Sequence, residues 1–362
     1  MEKQLSIIVP TYNMERYIGR CLESLIIPSF DNVEVIVVND GSKDRSFEIA
    51  QEYAMRFPNS IYVLNKENGN YGSCINAALK IASGRYVKVL DSDDFFDNQS
   101  FENFVESLAN IDTDVVLTSY TRIEEDTLKS FAGKDLVQIG MPIGKSLSLD
   151  QVRHYLFYPL MHMVTYKLQL LRKLQYVQTE GISYTDTEWC FMPFAKAESF
   201  LVLPISLYKY LIGREGQTVS PHVMAKSNKA FFMIIKKLIC TYESHKHNLT
   251  SEQQRYLNDY LANVYITLAL RILHSGEADQ CREFKLFDLS LKEQHLVWYE
   301  KFDKLSYNRR SNYKIINRWR RSDYCEKFKL PYIALIQLNL IAFLSNIRKL
   351  IFKRSFFNIF GR

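Results

Sequence analysis

Short apolar runs of β type alternate with helical patterns over the first 120 residues, and this alternation restricts the possible folds more than any other feature. The apolar runs are Leu5–Val9, Val33–Val38, Ile61–Leu64, Tyr86–Leu90 and Val115–Thr118. Between them, apolar residues recur at the three- and four-residue spacing of helices. Strands that alternate with helices build βαβ units and a mainly parallel sheet. We therefore expect a Rossmann-like α/β fold with helices on both faces of the sheet.

Polar residues follow two of these predicted strands. The second strand ends in Asn39-Asp40-Gly41, and the fourth ends in Asp91-Ser92-Asp93-Asp94. Ligands of parallel sheets bind outside the carboxyl ends of the strands, so these side chains are candidate ligand contacts. The first strand is followed by Pro10-Thr11-Tyr12-Asn13, not by G-x-G-x-x-G, and the chain has no G-x-x-x-x-G-K-[ST] motif. Both absences argue against a dinucleotide-dependent dehydrogenase and a P-loop enzyme.

Three carboxylates within four residues follow the fourth apolar run: Asp91, Asp93 and Asp94. Like charges this close repel one another unless a cation lies between them. Oxygen ligands in a D-x-D arrangement suit Mg²⁺ or Mn²⁺ bridging a diphosphate. The alternative is structural, with Asp94 or Asp97 capping a helix that contains Phe101.

Four ordered motifs resemble those of the family 2 glycosyltransferases with the GT-A fold. They are S-I-I-V-P-T-Y-N at 6–13, V-I-V-V-N-D-G-S-K-D at 35–44, N-G-N-Y-G-S-C-I-N-A-A-L at 68–79 and G-R-Y-V-K-V-L-D-S-D-D at 84–94. The resemblance covers roughly residues 4–215 and is to members of bacterial cell-surface polysaccharide type. It implies a GT-A domain over 1–220, with a nucleotide-binding half over 1–120 and an acceptor half over 121–220.

The resemblance also implies roles for individual residues. The implied nucleotide pocket consists of residues at the strand ends and in the third motif: Pro10, Thr11, Tyr12, Asn13, Asp40, Asn68, Asp91 and Ser92. Asp40 would accept a hydrogen bond from the base, typically uracil, and Tyr12 would offer a stacking face. Asp93, the second acid of the D-x-D, would bind Mn²⁺ or Mg²⁺. A turn-forming role is an equally open interpretation for Asn13 and for the glycines of the third motif.

A second candidate cluster is Gly181-Ile182-Ser183-Tyr184-Thr185-Asp186-Thr187-Glu188-Trp189. It resembles the acceptor-side motif of the family, in which a Glu-Asp pair precedes a helix and the Asp is the general base. Thr185 stands at the Glu position, which is a departure, while Asp186 retains the carboxylate of the base. Glu188 is the rival base or an acceptor contact. Two structural alternatives are open: Asp186 caps the helix, or Thr185 and Glu188 form a capping box.

A third segment, Tyr208–Ser220, resembles one that follows the acceptor helix in bacterial polysaccharide members of the family. Arg214 and Gln217 suit a diphosphate, the arginine through its planar fork. The alternative is a surface loop with a solvated Arg214. His162 lies in an apolar context, where a hydrogen-bonded core histidine is more usual than a catalytic one.

The last part of the chain differs in composition from the rest. Residues 221–300 read as a helical extension, with helices expected over Phe231–Tyr242, Glu252–Leu273 and Lys292–Phe302. From residue 301 to 362 there are 15 Lys and Arg but only 3 Asp and Glu, a net charge of +12, around the apolar stretch Leu330–Leu344. This pattern favours an amphipathic anchor on an anionic membrane surface. The alternative is a core helix, and no recognition motif supports nucleic acid as a partner.

The cysteines and the N-terminus indicate the compartment. The six cysteines form no C-x-x-C pair, which argues against a zinc ribbon, a redox motif and a disulfide framework. The first ten residues lack the long apolar region of a signal peptide. We expect a cytoplasmic protein that is peripheral on the inner face of the cell membrane.

Taken with the resemblance, the sequence predicts a metal-dependent, inverting glycosyltransferase. It would transfer a hexosyl or N-acetylhexosaminyl group from a nucleotide-sugar, typically UDP-linked, to a hydroxyl of a glycan or lipid-linked saccharide. Cell-surface polysaccharide synthesis, such as that of capsule or exopolysaccharide, is the implied setting. Two alternatives are a catalytically silent scaffold subunit of a membrane glycan-assembly complex and a nucleotidyltransferase. The first conflicts with the intact Asp91, Asp93 and Asp186, and the second needs a Gly-rich loop after the first strand.

Overall fold

The computed structural model describes residues 3–156, 158–214, 227–305 and 314–325. The chain forms two compact units, Met1–Leu261 and Ala262–Arg362. The boundary between them falls inside a helix, Ser251–Ser275. The limit expected at residue 220 lies in a segment outside the described residues, so the division at 220 and 300 stays a prediction.

The strands, numbered in chain order, are β1 Leu5–Thr11, β2 Val33–Asn39, β3 Ile61–Asn65, β4 Tyr86–Val89, β5 Phe95–Phe96, β6 Val115–Glu124, β7 Ser130–Lys134, β8 Ser146–Leu147, β9 Val164–Lys167 and β10 Phe200–Ile212. The helices of the first unit are α1 Ile18–Glu23, α2 Ser46–Arg56, α3 Asn70–Ile81, α4 Asn98–Leu108, α5 Leu149–Tyr155, α6 Leu168–Lys173, α7 Asp186–Trp189, α8 Met192–Lys196 and α9 Asn228–His245. Helix α10, Ser251–Ser275, contains the boundary. The helices of the second unit are α11 Ala278–Gln294, α12 Leu296–Asp303 and α13 Ile315–Arg321.

The described strands form one mixed sheet in the order β3-β2-β1-β4-β9-β6-β10-β5, with β7 beside β6 and β8 beside β10. Strands β1 to β4 pair in parallel, as the alternation predicts. Strand β9 is antiparallel to both of its neighbours, β4 and β6. The Rossmann-like α/β prediction is therefore confirmed, and the antiparallel pairs on the β9 side make the sheet mixed.

Both faces of the sheet are covered at its centre. All seven residues of β1 and all seven of β2 are buried, which a strand achieves only when helices pack on both sides. On one face, Leu5, Ile7 and Val9 pack with apolar residues of α1 and α4. Helix α3 contacts β1 and β2. The carboxyl ends of these strands are therefore held by a rigid, fully packed core.

Helix α3 begins at Asn70, and Gly69 is its N-cap residue. A Cβ at Gly72 would lie 1.9 Å from the Thr179 carbonyl oxygen, so only glycine lets this backbone approach. Asn76 then joins the two segments, because its Nδ2 donates to the Gln178 carbonyl and its Oδ1 accepts from the Gln178 N–H, both at 2.8 Å. The segment that leads into α7 is thereby fixed against α3.

The second unit is a group of helices around aromatic side chains. Phe284 stacks on Trp319 at 4.8 Å, and Arg320 forms an ion pair with the buried Asp288 at 2.7 Å. The single helix expected over Lys292–Phe302 is wrong, because α11 ends at Gln294 and α12 begins at Leu296. His295 between them has non-helical backbone torsions, with φ −140° and ψ 52°. None of the helices in the described ranges is long and apolar enough to cross a membrane.

Candidate active site

A cavity of about 570 Å³ opens at the carboxyl ends of β1, β2 and β4. It is lined by almost all of the residues that the motifs single out: Pro10, Thr11, Tyr12, Asn13, Asp40, Asn68, Asp91, Ser92, Asp93, Asp186 and Arg214. Glu188 does not line this cavity, and Gln217 lies outside the described residues. Residues up to 204 positions apart in sequence, Pro10 and Arg214, therefore line one cavity.

Asp40, the expected base contact, is buried at the end of β2. Its Oδ1 accepts from Lys66 Nζ at 2.6 Å and from the Gly69 N–H at 2.9 Å. Asn68 Nδ2 donates to the Asp40 backbone carbonyl at 2.9 Å. Tyr12 is 46% exposed beside them, so its ring is accessible to a base.

Asn13 joins the two loops that flank this part of the cavity. Its backbone has φ +54°, a left-handed conformation that Asn adopts more readily than most residues. Its Oδ1 accepts from the Lys43 N–H at 2.8 Å, and its own N–H donates to Ser42 Oγ at 3.0 Å. Asn13 therefore has a turn-forming role, and it also lines the cavity.

Asp91 lines the same cavity. Tyr71 Oη donates to Asp91 Oδ1 at 2.9 Å. Burial, and next the charge of Asp93, raise the pKa of Asp91 to about 7. A carboxylate with a pKa this high gains from a nearby positive charge, because such a charge stabilises its ionised form.

Asp94 is fully buried and connects β4 to β10. Tyr208 Oη donates to its Oδ2 and the Leu211 N–H donates to its Oδ1, both at 2.7 Å. Burial first, then the charges of Asp93 and Asp91, raise the pKa of Asp94 well above its usual range. Of the two candidate caps for α4, Asp94 and Asp97, the structure has Asp97, whose side chain accepts from the Ser100 N–H.

Asp93, the expected metal ligand, is paired with Arg214. The Arg214 Nε lies 2.5 Å from Asp93 Oδ2, and the two side chains are only 12% and 10% exposed. Arg20 Nη2 donates separately to the Asp93 backbone carbonyl at 3.1 Å. The surface-loop alternative for Arg214 is therefore wrong, since its guanidinium is buried against a carboxylate.

His162 lies beside the acidic residues. It is buried, with its ring 4.7 Å from that of Tyr208 and 4.6 Å from that of Tyr210. Burial, and next the charge of Lys88, lower the pKa of His162 to about 3, so the imidazole is neutral. Within the described ranges, His162 Nδ1 has no hydrogen-bond partner, unlike the hydrogen-bonded core histidine that the sequence favours.

The acidic cluster fits a divalent cation. One ligand atom from each of Asp91, Asp94 and His162 lies within 4.8 Å of the others. Carboxylate oxygens suit Mg²⁺ and Mn²⁺, and a neutral imidazole suits a transition metal. Asp93 does not belong to this group in the structure, and its Oδ2 forms an ion pair with Arg214.

Asp186 is the first residue of α7 and faces the cavity. Burial raises its pKa to about 6. The N-cap position belongs to Thr185, without a capping hydrogen bond from its side chain, so the Asp186 cap is wrong. The capping box is also wrong, because Thr185 makes no side-chain cap hydrogen bond and both carboxylate oxygens of Glu188 accept from Thr179.

Glu188 is held away from the cavity by Thr179. Its Oε2 accepts from the Thr179 N–H and its Oε1 from Thr179 Oγ1, both at 2.7 Å. Burial raises its pKa above the usual value. Both carboxylate oxygens thus bind the segment that packs on α3.

The geometry can be compared with known proteins. The model of the family described as Glycosyl transferase family 2 matches residues 6–174. Residues 6–174 are a family 2 glycosyltransferase domain. This span includes the β1 to β4 strand ends and the acids of the cavity, and it ends before Asp186.

The relatives of this glycosyltransferase domain include bacterial proteins. The chain is 29% identical over 224 residues to the uncharacterized glycosyltransferase EpsJ of Bacillus subtilis, which covers 60% of this chain and 64% of EpsJ. It is 44% identical over 100 residues to the minor teichoic acid biosynthesis protein GgaB of the same organism, covering 27% of this chain and 11% of GgaB. The chain therefore spans less than two thirds of the length of either relative.

The fold of this glycosyltransferase domain also occurs in a solved structure. The crystal structure of S. aureus TarS residues 1–349 in complex with UDP-GlcNAc matches with a TM-score of 0.51 and 22% identity. The match covers 75% of this chain and 86% of that one. At this identity the likeness shows a shared GT-A fold.

Sequence reasoning assigns no individual role to several residues that line the cavity. They are Tyr71, Met161, Ser183, Tyr184 and Tyr210. Tyr71 lies inside the third motif, and this position could have identified it as a cavity residue. Tyr184 has φ +65° and stacks on Phe231 at 4.1 Å, a tertiary contact that no local pattern announces.

Proposed function

We propose that the chain is an inverting glycosyltransferase that transfers a hexosyl or N-acetylhexosaminyl group from a nucleotide-sugar to an acceptor hydroxyl. The observation that carries this proposal is the cavity, which gathers Asp186 with the nucleotide-side residues and the D-S-D-D acids. A candidate base and a candidate diphosphate site in one cavity are the minimum that glycosyl transfer requires.

We propose a UDP-linked donor. Asp40 and Tyr12 offer a buried acceptor and an accessible aromatic face for a uracil base. The TarS structure of the same fold was solved with UDP-GlcNAc, which supports this donor class. The diphosphate would lie toward Asp93 and Arg214, and the sugar toward Asp186.

A divalent cation, Mn²⁺ or Mg²⁺, would be held by Asp93 with help from the neighbouring acids. When bound, it supplies positive charge that stabilises the diphosphate as a leaving group. Arg214 would add its guanidinium to the same diphosphate through charge-assisted hydrogen bonds. Both assignments place positive charge next to the negative charge of the leaving diphosphate.

Asp186 would act as the general base. Its carboxylate takes the proton of the acceptor hydroxyl as the oxygen forms a bond to the anomeric carbon. The bond from that carbon to the diphosphate oxygen breaks, and the nucleoside diphosphate leaves with the electron pair. Attack from the face opposite the leaving group inverts the anomeric centre.

The acceptor that we propose is a glycan or a lipid-linked saccharide of the cell surface. GgaB is named for minor teichoic acid biosynthesis, and this supports the setting by analogy. A lipid-linked acceptor would lie at the inner face of the membrane, where the basic C-terminal segment would meet anionic lipid. The apolar stretch Leu330–Leu344 on which this expectation depends lies outside the described residues.

Calorimetry with UDP, with and without Mn²⁺, tests the proposal. We expect UDP to bind the wild-type protein in a Mn²⁺-dependent manner. Asp93→Ala should lose the Mn²⁺ dependence and glycosyl transfer while keeping the far-UV circular dichroism spectrum of the wild type. A screen of sugar nucleotides for UDP release then identifies the donor. Turnover of UTP with release of pyrophosphate would instead favour a nucleotidyltransferase.

A further inference from the structure

The contact between Arg214 and Asp93 places a guanidinium inside the cluster of acidic residues. An arginine that is about nine-tenths buried holds one carboxylate oxygen of a D-S-D-D cluster, at 2.5 Å. Asp91 and Asp94 belong to the same run of acids, and one carboxylate oxygen of each lies within 4.8 Å of the other. The guanidinium therefore lies where negative charge is concentrated, which is where a divalent cation would also be most stable.

The inference rests on the proposed function, in which Asp93 binds the metal and Arg214 binds the diphosphate. These two roles are incompatible with the contact as it stands. A guanidinium on Asp93 Oδ2 repels a second cation at the same carboxylate, and this repulsion is strong because both side chains are nearly buried. Arg214 at Asp93 also cannot donate the same Nε–H to a phosphate.

We propose that Arg214 substitutes for the divalent cation on Asp93 in the nucleotide-free protein and leaves this carboxylate when nucleotide diphosphate and metal bind together. The pair gives the nearly buried Asp93 carboxylate a partner until the ligands arrive. The diphosphate then accepts from the guanidinium that the metal displaces.

A coupling between metal and nucleotide follows from this exchange. Metal alone has to displace Arg214 without offering it a new anion, so metal alone binds weakly. UDP supplies that anion, so UDP strengthens metal binding and metal strengthens UDP binding by the same factor. Removal of the Arg214 charge should therefore strengthen the binding of metal alone and weaken the binding of UDP.

If Arg214 instead supports the metal site, removal of its charge should change the affinity for metal in the opposite direction. If the guanidinium orients Asp93 for the metal, as outer partners of metal ligands commonly do, its removal weakens metal binding. The direction of the change in metal affinity therefore distinguishes an exchanging Arg214 from an orienting one.

The test is a titration of Mn²⁺ followed by electron paramagnetic resonance of the free ion, with and without UDP. In Arg214→Met, Mn²⁺ alone should bind about tenfold more tightly than in the wild type, and UDP about tenfold more weakly, a typical size for coupling between sites. The factor by which UDP strengthens Mn²⁺ binding should fall accordingly. Arg214→Gln should behave in the same way and guards against a folding defect in one variant.

Arg20→Met is the matched control. It also removes a positive charge next to Asp93, but Arg20 donates to the backbone carbonyl and not to the carboxylate. We expect its Mn²⁺ affinity to stay within about twofold of the wild type, since no carboxylate oxygen is released. An equal gain in Arg20→Met would show a general charge effect and overturn the exchange.

The remaining outcomes are also decisive. Unchanged or weaker binding of Mn²⁺ alone in both Arg214 variants overturns the exchange, even where wild-type UDP binding depends on Mn²⁺ and the proposed function stands. The same conclusion follows if neither the wild type nor the variants bind Mn²⁺. Wild-type protein that binds Mn²⁺ but never UDP would overturn the proposed function, whatever the Arg214 variants do.

Discussion

Two carboxylates that are two residues apart have different surroundings at the start of α7. Residues two positions apart on a helix point to different sides, so Asp186 faces the cavity while Glu188 faces the segment around Thr179. Both oxygens of Glu188 already accept hydrogen bonds there. This difference favours Asp186 as the base of the proposed reaction.

The first prediction concerns the ionisation of Asp186. A base must be ionised to accept a proton, and burial raises the pKa of Asp186 to about 6. The kcat/KM, which reports ionisation in the free enzyme, should therefore fall as the pH drops through about 6. Asp186→Asn should lose about 10² to 10⁴ in kcat, the usual scale for a general base, with UDP affinity unchanged.

Glu188→Gln is the comparison variant in the same kinetic assay. We expect it to retain the acidic fall near pH 6, because Asp186 is untouched. A severe loss of kcat in Glu188→Gln, together with a mild one in Asp186→Asn, would exchange the two roles.

At the residue scale, prediction from sequence succeeds where the functional residues are neighbours along the chain. The Asp91–Asp94 run is visible because it directly follows an apolar segment, and Asp186 because it lies in a short motif just before one. The partners of these acids are not visible. Arg214 pairs with Asp93 across 121 positions, and Lys66 reaches Asp40 across 26, so only the folded sheet brings them together.

At the scale of elements, the approach of α3 to the segment before α7 positions the base. Gly72 permits this approach, and the paired hydrogen bonds of Asn76 to Gln178 fix its register. The orientation of Asp186 therefore depends on a contact made on a different helix.

The second prediction is that Gly72→Ala destabilises the protein by about 3 kcal/mol, as severe overpacking does. The new Cβ would lie 1.9 Å from a backbone oxygen, which cannot turn aside as a flexible side chain would. Urea unfolding followed by fluorescence measures the effect. Because the shifted segment also carries Asp186, kcat of the folded fraction should fall as well.

Gly19→Ala is the matched control in α1. A Cβ at Gly19 meets nothing within 4 Å, so we expect a gain of about 0.5 kcal/mol from the lower entropy of the unfolded chain. Equal stability of the two variants would contradict the packing argument.

Elements were predictable where apolar runs and polar ends alternate regularly, and β1 to β4 show this. Strand β10, Phe200–Ile212, was not predicted, although it is rich in aromatic and β-branched residues. Pro204 interrupts it and lacks the N–H that a ladder needs, and the register with β6 shifts between Val202 and Ser206. Helix α11 lies within the helical extension but is not predicted as a separate helix, although Cys281, Phe284, Phe287 and Leu291 recur at helical spacing and are buried.

At the scale of the whole molecule, the third prediction concerns the basic C-terminal segment. We expect the full chain to sediment with anionic liposomes, and high salt to weaken this binding without abolishing it. The net charge of +12 from residue 301 onward provides the salt-sensitive part, at about 1 kcal/mol per well-placed basic residue. Apolar residues within Leu330–Leu344 would provide the rest.

The control is a chain that stops after Cys325. This stop keeps Tyr324, whose hydroxyl donates to Asp288 at 3.1 Å in the second unit, and it keeps the basic groups up to Arg321. The two chains are compared at high salt, where only inserted apolar side chains should hold the protein. Equal binding of both chains there, or no binding of the full chain in any salt, would show that the anchor is wrong.

Strand β9 sets a rule for exchanging parts between related transferases. It is hydrogen-bonded to β4 on one side and to β6 on the other. One continuous ladder therefore joins the strands of the proposed nucleotide-binding half to β9 of the proposed acceptor half. Lys88 of β4 adds a buried bond of 2.9 Å to the His162 carbonyl, just before β9. A chimera that grafts the acceptor side of a relative onto this chain must therefore supply a strand that fits the host β4 and accepts its lysine. If the proposed acceptor half sets acceptor specificity, that specificity is transplanted together with β9.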